Sequence, residues 1–175
     1  MPEVPAYHAL VVRVDAEARQ LQAYYGSRLR CRVHCSACCQ DISLCPLEWH
    51  LVQAAVTRLP AALLARLQGR PPRPAGRCPL LLDERCPVYP ARPILCRSQG
   101  LPLAYLDELA ETIEVSACPV SFPETDVFAP EGLLFLDEIN RELASLNEAW
   151  CRRHGKDPQE RIPLSTVLRQ ALTIA

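Results

Sequence analysis

Leu136, Ile139, Leu143, Leu146 and Trp150 recur at steps of three, four, three and four, with charged residues filling the gaps. That spacing draws one apolar stripe along a helix running from about Glu131, and Gly155 supplies the residue that closes it. Near the other end, Val11, Val14, Ala18, Leu21 and Tyr25 keep the same steps. The run Ala9 to Val14 is β-branched enough for a strand, so the helix is expected from about Asp15, capped by that carboxylate, to Gly26-Ser27. Pro46 occupies a helix N1 position, and Leu47, Leu51, Ala54 and Ala55 give that helix an apolar face through Arg58. Pro60 opens a shorter helix carrying Leu63, Leu64 and Leu67. The stretch Gly69 to Gly76 holds three prolines and is a loop. Leu101 to Leu106 and Thr112 to Ser116 read as two strands about a polar turn at Asp107-Glu108. Leu164, Val167, Leu168 and Leu172 add a last helix. The fold class expected is α+β, mainly α, with a small irregular metal-organised core, a short β-hairpin and a long C-terminal helix.

The 175 residues, 49% of them hydrophobic, suffice for one core. A single domain over residues 1–175 is expected, with a motif region at 31–122 and a helical C-terminal extension at 130–173. The formal charge of -1 argues against a nonspecific electrostatic grip on nucleic acid or acidic lipid. The first residues carry no basic segment before an apolar run, and no stretch approaches the roughly 20 apolar residues of a membrane span. Those features lead to the expectation of a cytoplasmic protein without nucleic-acid or membrane partners. In a reducing compartment the ten cysteines are metal or redox ligands before they are disulfides.

Their arrangement sharpens this. Cys31, Cys35, Cys38 and Cys39 fall within nine residues, and Cys35 and Cys38 form the Cys-x-x-Cys step that lets two sulfurs reach one metal. Soft thiolates favour zinc, copper(I) and iron–sulfur clusters. Neighbouring Cβ vectors diverge, so Cys38 and Cys39 are expected to serve different metals or different edges of one cluster. Further on come Cys78-Pro79-Leu80-Leu81, Cys86-Pro87-Val88-Tyr89, Arg92-Pro93-Ile94-Leu95-Cys96-Arg97 and Cys118-Pro119-Val120-Ser121-Phe122.

With these motifs in this order, the chain from Cys31 to about Phe122 resembles the YkgJ-type cysteine-cluster proteins, a bacterial family described as a zinc- or iron-chelating domain. It departs from that pattern at Ser36, where the family often has Gly. The resemblance implies that Cys31, Cys35, Cys38, Cys39, Cys78, Cys86, Cys96 and Cys118 are the metal ligands, with zinc or an iron–sulfur cluster as cofactor. Arg92 and Arg97 belong to the same motif and are expected to hydrogen-bond the sulfurs. Cys45 and Cys151 match no motif and read as packing thiols. His34 reads as a solvated side chain, since the cysteines alone suffice as ligands. A similar cluster occurs in the much longer flagellin lysine N-methylases, and the alternative to a metal-binding protein is an iron–sulfur redox enzyme or a methylase-like transferase. Metal ions are the expected partners. No glycine-rich phosphate loop, nucleophile elbow or His-Glu-x-x-His helix is present, and no carboxylate pair has catalytic spacing.

Overall fold

The computed structural model describes residues 2–32, 34–70, 76–107, 109, 111–123 and 126–170. In chain order the elements are α1 (Glu3–Tyr25), β1 (Ser43–Leu44), α2 (Pro46–Thr57), α3 (Ala61–Gln68), α4 (Ile94–Ser98), β2 (Leu103–Asp107), β3 (Thr112–Ser116), β4 (Leu134–Phe135), α5 (Asp137–His154), β5 (Ile162–Pro163) and α6 (Thr166–Gln170). The class is α+β, mainly α. Two compact units form, each discontinuous in sequence: Met1–Cys38 with Ile94–Leu146, and Cys39–Pro93 with Asn147–Ala175. The boundary runs through the Cys38–Cys39 peptide and through the middle of α5. No helix among the described residues is long and apolar enough to cross a membrane.

In the first unit, α1 begins at Glu3, twelve residues before the expected start at Asp15. The buried stripe is Tyr7, Leu10, Val14, Ala18, Leu21 and Tyr25, again at steps of three and four. Burial of that whole face outweighs the mild strand preference of Val11 and Val12, and Val12 points to solvent at 64% exposure. Asp15 is therefore mid-helix and not a cap. The expected hairpin is present, although its first strand starts at Leu103, two residues later than expected. β2 pairs antiparallel with β3, Leu103 opposite Ser116 and Asp107 opposite Thr112, and parallel with β4 in the order β3-β2-β4. The start of α5 is tied to this sheet where the Leu106 N–H donates to the Asp137 carboxylate at 3.2–3.3 Å. Gly155, at φ 60°, closes α5 as its position predicts.

In the second unit, Pro46 stands at the first turn of α2, as expected. The buried face differs from expectation. Leu47 is inside, but the stripe below it is Trp49, Val52 and Val56, while Leu51, Ala54 and Ala55 are half-buried. Eight of the twelve positions of this helix are apolar and they are spread around it, so periodicity alone leaves its orientation undetermined. Trp49, Val52 and Val56 join Leu44, Leu80, Leu81, Val88, Leu164 and Val167 in one hydrophobic cluster. α6 occupies the expected last helix, and Leu172 lies outside the described residues. β1 and β5 pair antiparallel, Ser43 opposite Pro163, and the Leu164 N–H donates to the Ile42 carbonyl at 2.8 Å.

The N-cap residue of α2, Cys45, makes no side-chain cap. Buried Asn147 replaces it: its Oδ1 accepts the Leu47 N–H at 3.1 Å, and its Nδ2 donates to the Pro158 carbonyl at 3.1 Å. Asn147→Ala leaves a helix N–H and a carbonyl buried without partners, so the expected loss is about 1–3 kcal/mol of stability. Urea denaturation measures it, and an unchanged midpoint would remove this role from Asn147.

Candidate metal centre

Cysteines of the first unit lie on three segments, the loop carrying Cys31, Cys35 and Cys38, helix α4 with Cys96, and the turn at Cys118. α1 ends at Gly26 and passes through a 3-10 turn at Gly26–Arg28. Immediately after, the Arg30 N–H donates to Ser121 Oγ at 3.0 Å. Ser121 belongs to the turn begun by Cys118, whose carbonyl accepts the Ser121 and Phe122 N–H groups at 3.0 and 2.8 Å. Below it, Tyr25 and Phe122 pack edge to face at 4.8 Å, and Arg28 pairs with Asp126 at 2.7 Å. Arg30 thereby sets Cys31 beside the Cys118 turn. From there the chain is a loop, with His34 in the left-handed region at φ 72° and the Cys35 N–H returning to the Arg32 carbonyl at 2.9 Å. Cys31 feels the charges of Cys118, Cys35 and Cys38, so each of these three thiols is an electrostatic neighbour of Cys31.

α4 contributes the remaining side. Gly100, at φ 93°, packs directly against Cys31 Sγ, and a Cβ there would collide with the sulfur. Cys31 is exposed as a residue, yet this shelter around its sulfur counts more. Burial first, then the neighbouring thiolates, push its pKa up to about 11. Cys96 sits exposed on α4. The next residue, Arg97, is buried and bonds Asp15 of α1 at 2.6 Å, which fixes α4 on α1.

In the second unit, residues 39–41 align with 76–78. The Cys78 N–H donates to the Cys39 carbonyl at 3.2 Å, Gln40 bridges Arg77, and the Asp41 N–H donates to the Gly76 carbonyl at 2.8 Å. Cys78-Pro79 and Cys86-Pro87 then form two similar turns, with the Leu81 and Tyr89 N–H groups reaching the Cys78 and Cys86 carbonyls at 3.4 and 3.2 Å. Proline in second place pre-sets such a turn and offers no N–H of its own. The next amides face the sulfur: Leu80 and Leu81 toward Cys78, Val88 toward Cys86. Between the turns, Asp83 and Glu84 take left-handed conformations at φ 50° and 57° and reverse the chain, with Leu82 bridging Arg85. That reversal explains how cysteines eight residues apart become neighbours. Burial is the largest influence on Cys86 and raises its pKa to about 11, with the Cys78 charge adding to it. Cys39 and Cys86 pack against the hydrophobic cluster that contains Cys78.

The arginines divide. Arg92 lies over the Tyr89 ring at 3.9 Å, and its charge favours the Cys86 thiolate. Arg77 pairs with Glu84 at 2.9 Å, away from a purely solvent role. Arg70 went unnoticed in the sequence because it sits in a proline-rich loop. Its guanidinium holds the Pro79 and Leu81 carbonyls of the Cys78 turn, and its charge favours the Cys78 thiolate.

Cys45 and Cys151 lie apart from both sets. Burial and then Glu48, whose Oε2 is 3.9 Å from the sulfur, push Cys45 up to about 12, so it is a neutral buried thiol. Cys151 is fully buried, with Sγ 3.6 Å from Asn147 Oδ1, and its charge reaches Cys45.

Among the described residues no three Cys, His, Asp or Glu side chains stand as they are in a geometry that holds a metal ion. The donor chemistry nevertheless fits a thiophilic ion. Burial and neighbouring thiols make Cys31 and Cys86 resist ionisation, and a cation beside their sulfurs would offset both effects. Residues 30–119, just over half the chain, match the family model CxxCxxCC, described as "Putative zinc- or iron-chelating domain". No curated protein and no solved structure matches the chain.

In metal-free protein, a thiol with a pKa of about 11 is ionised only to about one part in a thousand at pH 8. Iodoacetamide at pH 8 is expected to label Cys31, Cys86 and Cys45 slowly, and to label the first two much faster at pH 10. Peptide mass spectrometry reads the order; rapid labelling of Cys31 at pH 8 would contradict the sheltered-sulfur description.

Proposed function

The chain belongs to the CxxCxxCC, YkgJ-type family, and from that premise we propose that it binds two thiophilic metal centres, one in each unit. In the first unit the donors are Cys31, Cys35, Cys38 and Cys118, a full tetrahedral set. In the second they are Cys39, Cys78 and Cys86, which leave one coordination position open. Cys96 is a fifth thiol of the first unit, available to a larger cluster there. The single observation that carries this reading is that the charges of Cys118, Cys35 and Cys38 all reach Cys31, although Cys118 lies about eighty residues further along the chain.

Chelation requires the thiol side chains to close in from their metal-free positions. Loss of protons accompanies it, so affinity falls as pH falls. Arg92 and Arg70 stabilise the thiolates of Cys86 and Cys78 in this scheme. Arg97 acts at one remove, holding the helix that carries Cys96. The metal is zinc in the leading reading, with a role in binding or delivery suited to the open position of the second centre. Iron–sulfur redox chemistry is the second reading. It is favoured by the amides of Leu80, Leu81 and Val88 facing sulfur in an apolar setting, the arrangement that tunes cluster potentials. The cytoplasm is the compartment that keeps such thiols reduced.

Protein purified without oxygen, analysed for metal and acid-labile sulfide, tests the reading. About two zinc ions per chain and no sulfide are expected from two thiolate sites; brown protein with labile sulfide would replace zinc by the iron–sulfur alternative. Cys38→Ser and Cys78→Ser are each expected to remove one centre and keep the other. Unchanged metal content in both variants would refute the assignment.

The metal-free fold is expected to weaken at alkaline pH. The folded pKa values of Cys31 and Cys86 lie above that of an unfolded thiol, so the fold holds protons that the unfolded chain releases. Stability is full below about pH 9 and declines as pH rises toward about 11. Thermal melts across that window, with and without zinc, measure it; metal-free protein that melts no lower at pH 10.5 than at pH 8 would contradict the raised values.

A further inference from the structure

The second unit holds a cleft of about 360 Å³ that no motif cysteine lines. Its size falls within the range of small-molecule sites. α2 presents Trp49, His50 and Gln53 to it, α5 presents Trp150, and the segment leading to β5 brings Lys156 and Glu160.

The walls are aromatic. His50 lies 5.3 Å from Trp150, and His154 stacks on the same indole at 4.1 Å and 18°. Burial, then the nearby His154, lower the His50 pKa, so at neutral pH this imidazole is uncharged. The two indoles differ in their polar handle. Trp49 donates its N–H to Thr166 Oγ1 at 2.9 Å, whereas the Trp150 N–H is buried with no partner among the described residues, in a side chain only 4% exposed. An orphan donor of that kind carries an energetic penalty that an acceptor removes.

The rim is charged. Lys156 is the only lysine of the chain, and neither it nor Glu160 forms an ion pair among the described residues. A lone anion entering the cleft meets Glu160, and a lone cation meets Lys156. A molecule with both charges satisfies both.

We propose that this cleft binds a small zwitterion with a planar apolar side chain, the class to which the aromatic α-amino acids belong. Lys156 and the Trp150 N–H take the carboxylate, Glu160 takes the ammonium, and the ring lies against the indoles. The site shares no donor with the metal centres, so it stands or falls independently of them.

Both tryptophans of the chain line the cleft, which makes intrinsic fluorescence of the full-length protein a direct readout. Titration with L-phenylalanine is expected to give a saturable change. Benzoate and phenethylamine, each lacking one charge, are expected to bind at least about tenfold more weakly. Lys156→Met and Glu160→Gln alter exposed side chains and leave the fold intact; each is expected to weaken L-phenylalanine about tenfold with metal content unchanged. No saturation with L-phenylalanine, equal affinity for benzoate or phenethylamine, or variants that bind as the parent does would overturn the proposal.

Discussion

Two adjacent cysteines cannot easily point at the same place. Successive side chains leave an extended backbone on opposite sides, and a single metal ion cannot draw both sulfurs in without distorting the peptide between them. At Cys38-Cys39 the chain turns this restriction into an organising device. The division between the two compact units falls on that peptide, so one cysteine belongs to each unit. In the first unit the charge of Cys38 reaches Cys31, as do those of Cys35 and Cys118; in the second, Cys39 is laddered to Cys78, which neighbours Cys86.

Each set is built by a different means. The first depends on a loop, on the left-handed backbone of His34, and on the bond from Arg30 to Ser121 that seats the loop against the Cys118 turn. The absence of a side chain at Gly100 leaves room for the Cys31 sulfur. The second set depends on repetition, with two Cys-Pro turns either side of the Asp83-Glu84 reversal. Both sets stand on apolar packing, the aromatic group of Tyr25 and Phe122 in one and the cluster around Leu80, Leu81 and Val88 in the other. Core and candidate ligands are thus made of the same segments, and a metal bound to the thiols would stabilise the fold that presents them.

Much of this was readable in the residues. The stripe from Leu136 to Trp150, the proline at the start of α2 and the strand pair ending at Ser116 all followed from local pattern. Local pattern failed where two tendencies competed: β-branched residues hid the first turns of α1, and apolar residues spread around α2 concealed which side faces inward. The cysteine motifs named candidate donors but not their grouping, because grouping is set by long-range bonds such as Arg30 to Ser121 and Cys78 to Cys39. Arg70 and the tertiary cap from Asn147 were hidden for the same reason; each acts on residues at a distance fixed only by the fold.

Correlation NMR on cadmium-substituted protein, which couples each bound ion to the β-protons of its own cysteines, tests the division most directly. One cadmium is predicted to couple to Cys38 together with Cys31, Cys35 and Cys118, and a different one to Cys39 together with Cys78 and Cys86. A single cadmium coupled to both Cys38 and Cys39 would contradict it.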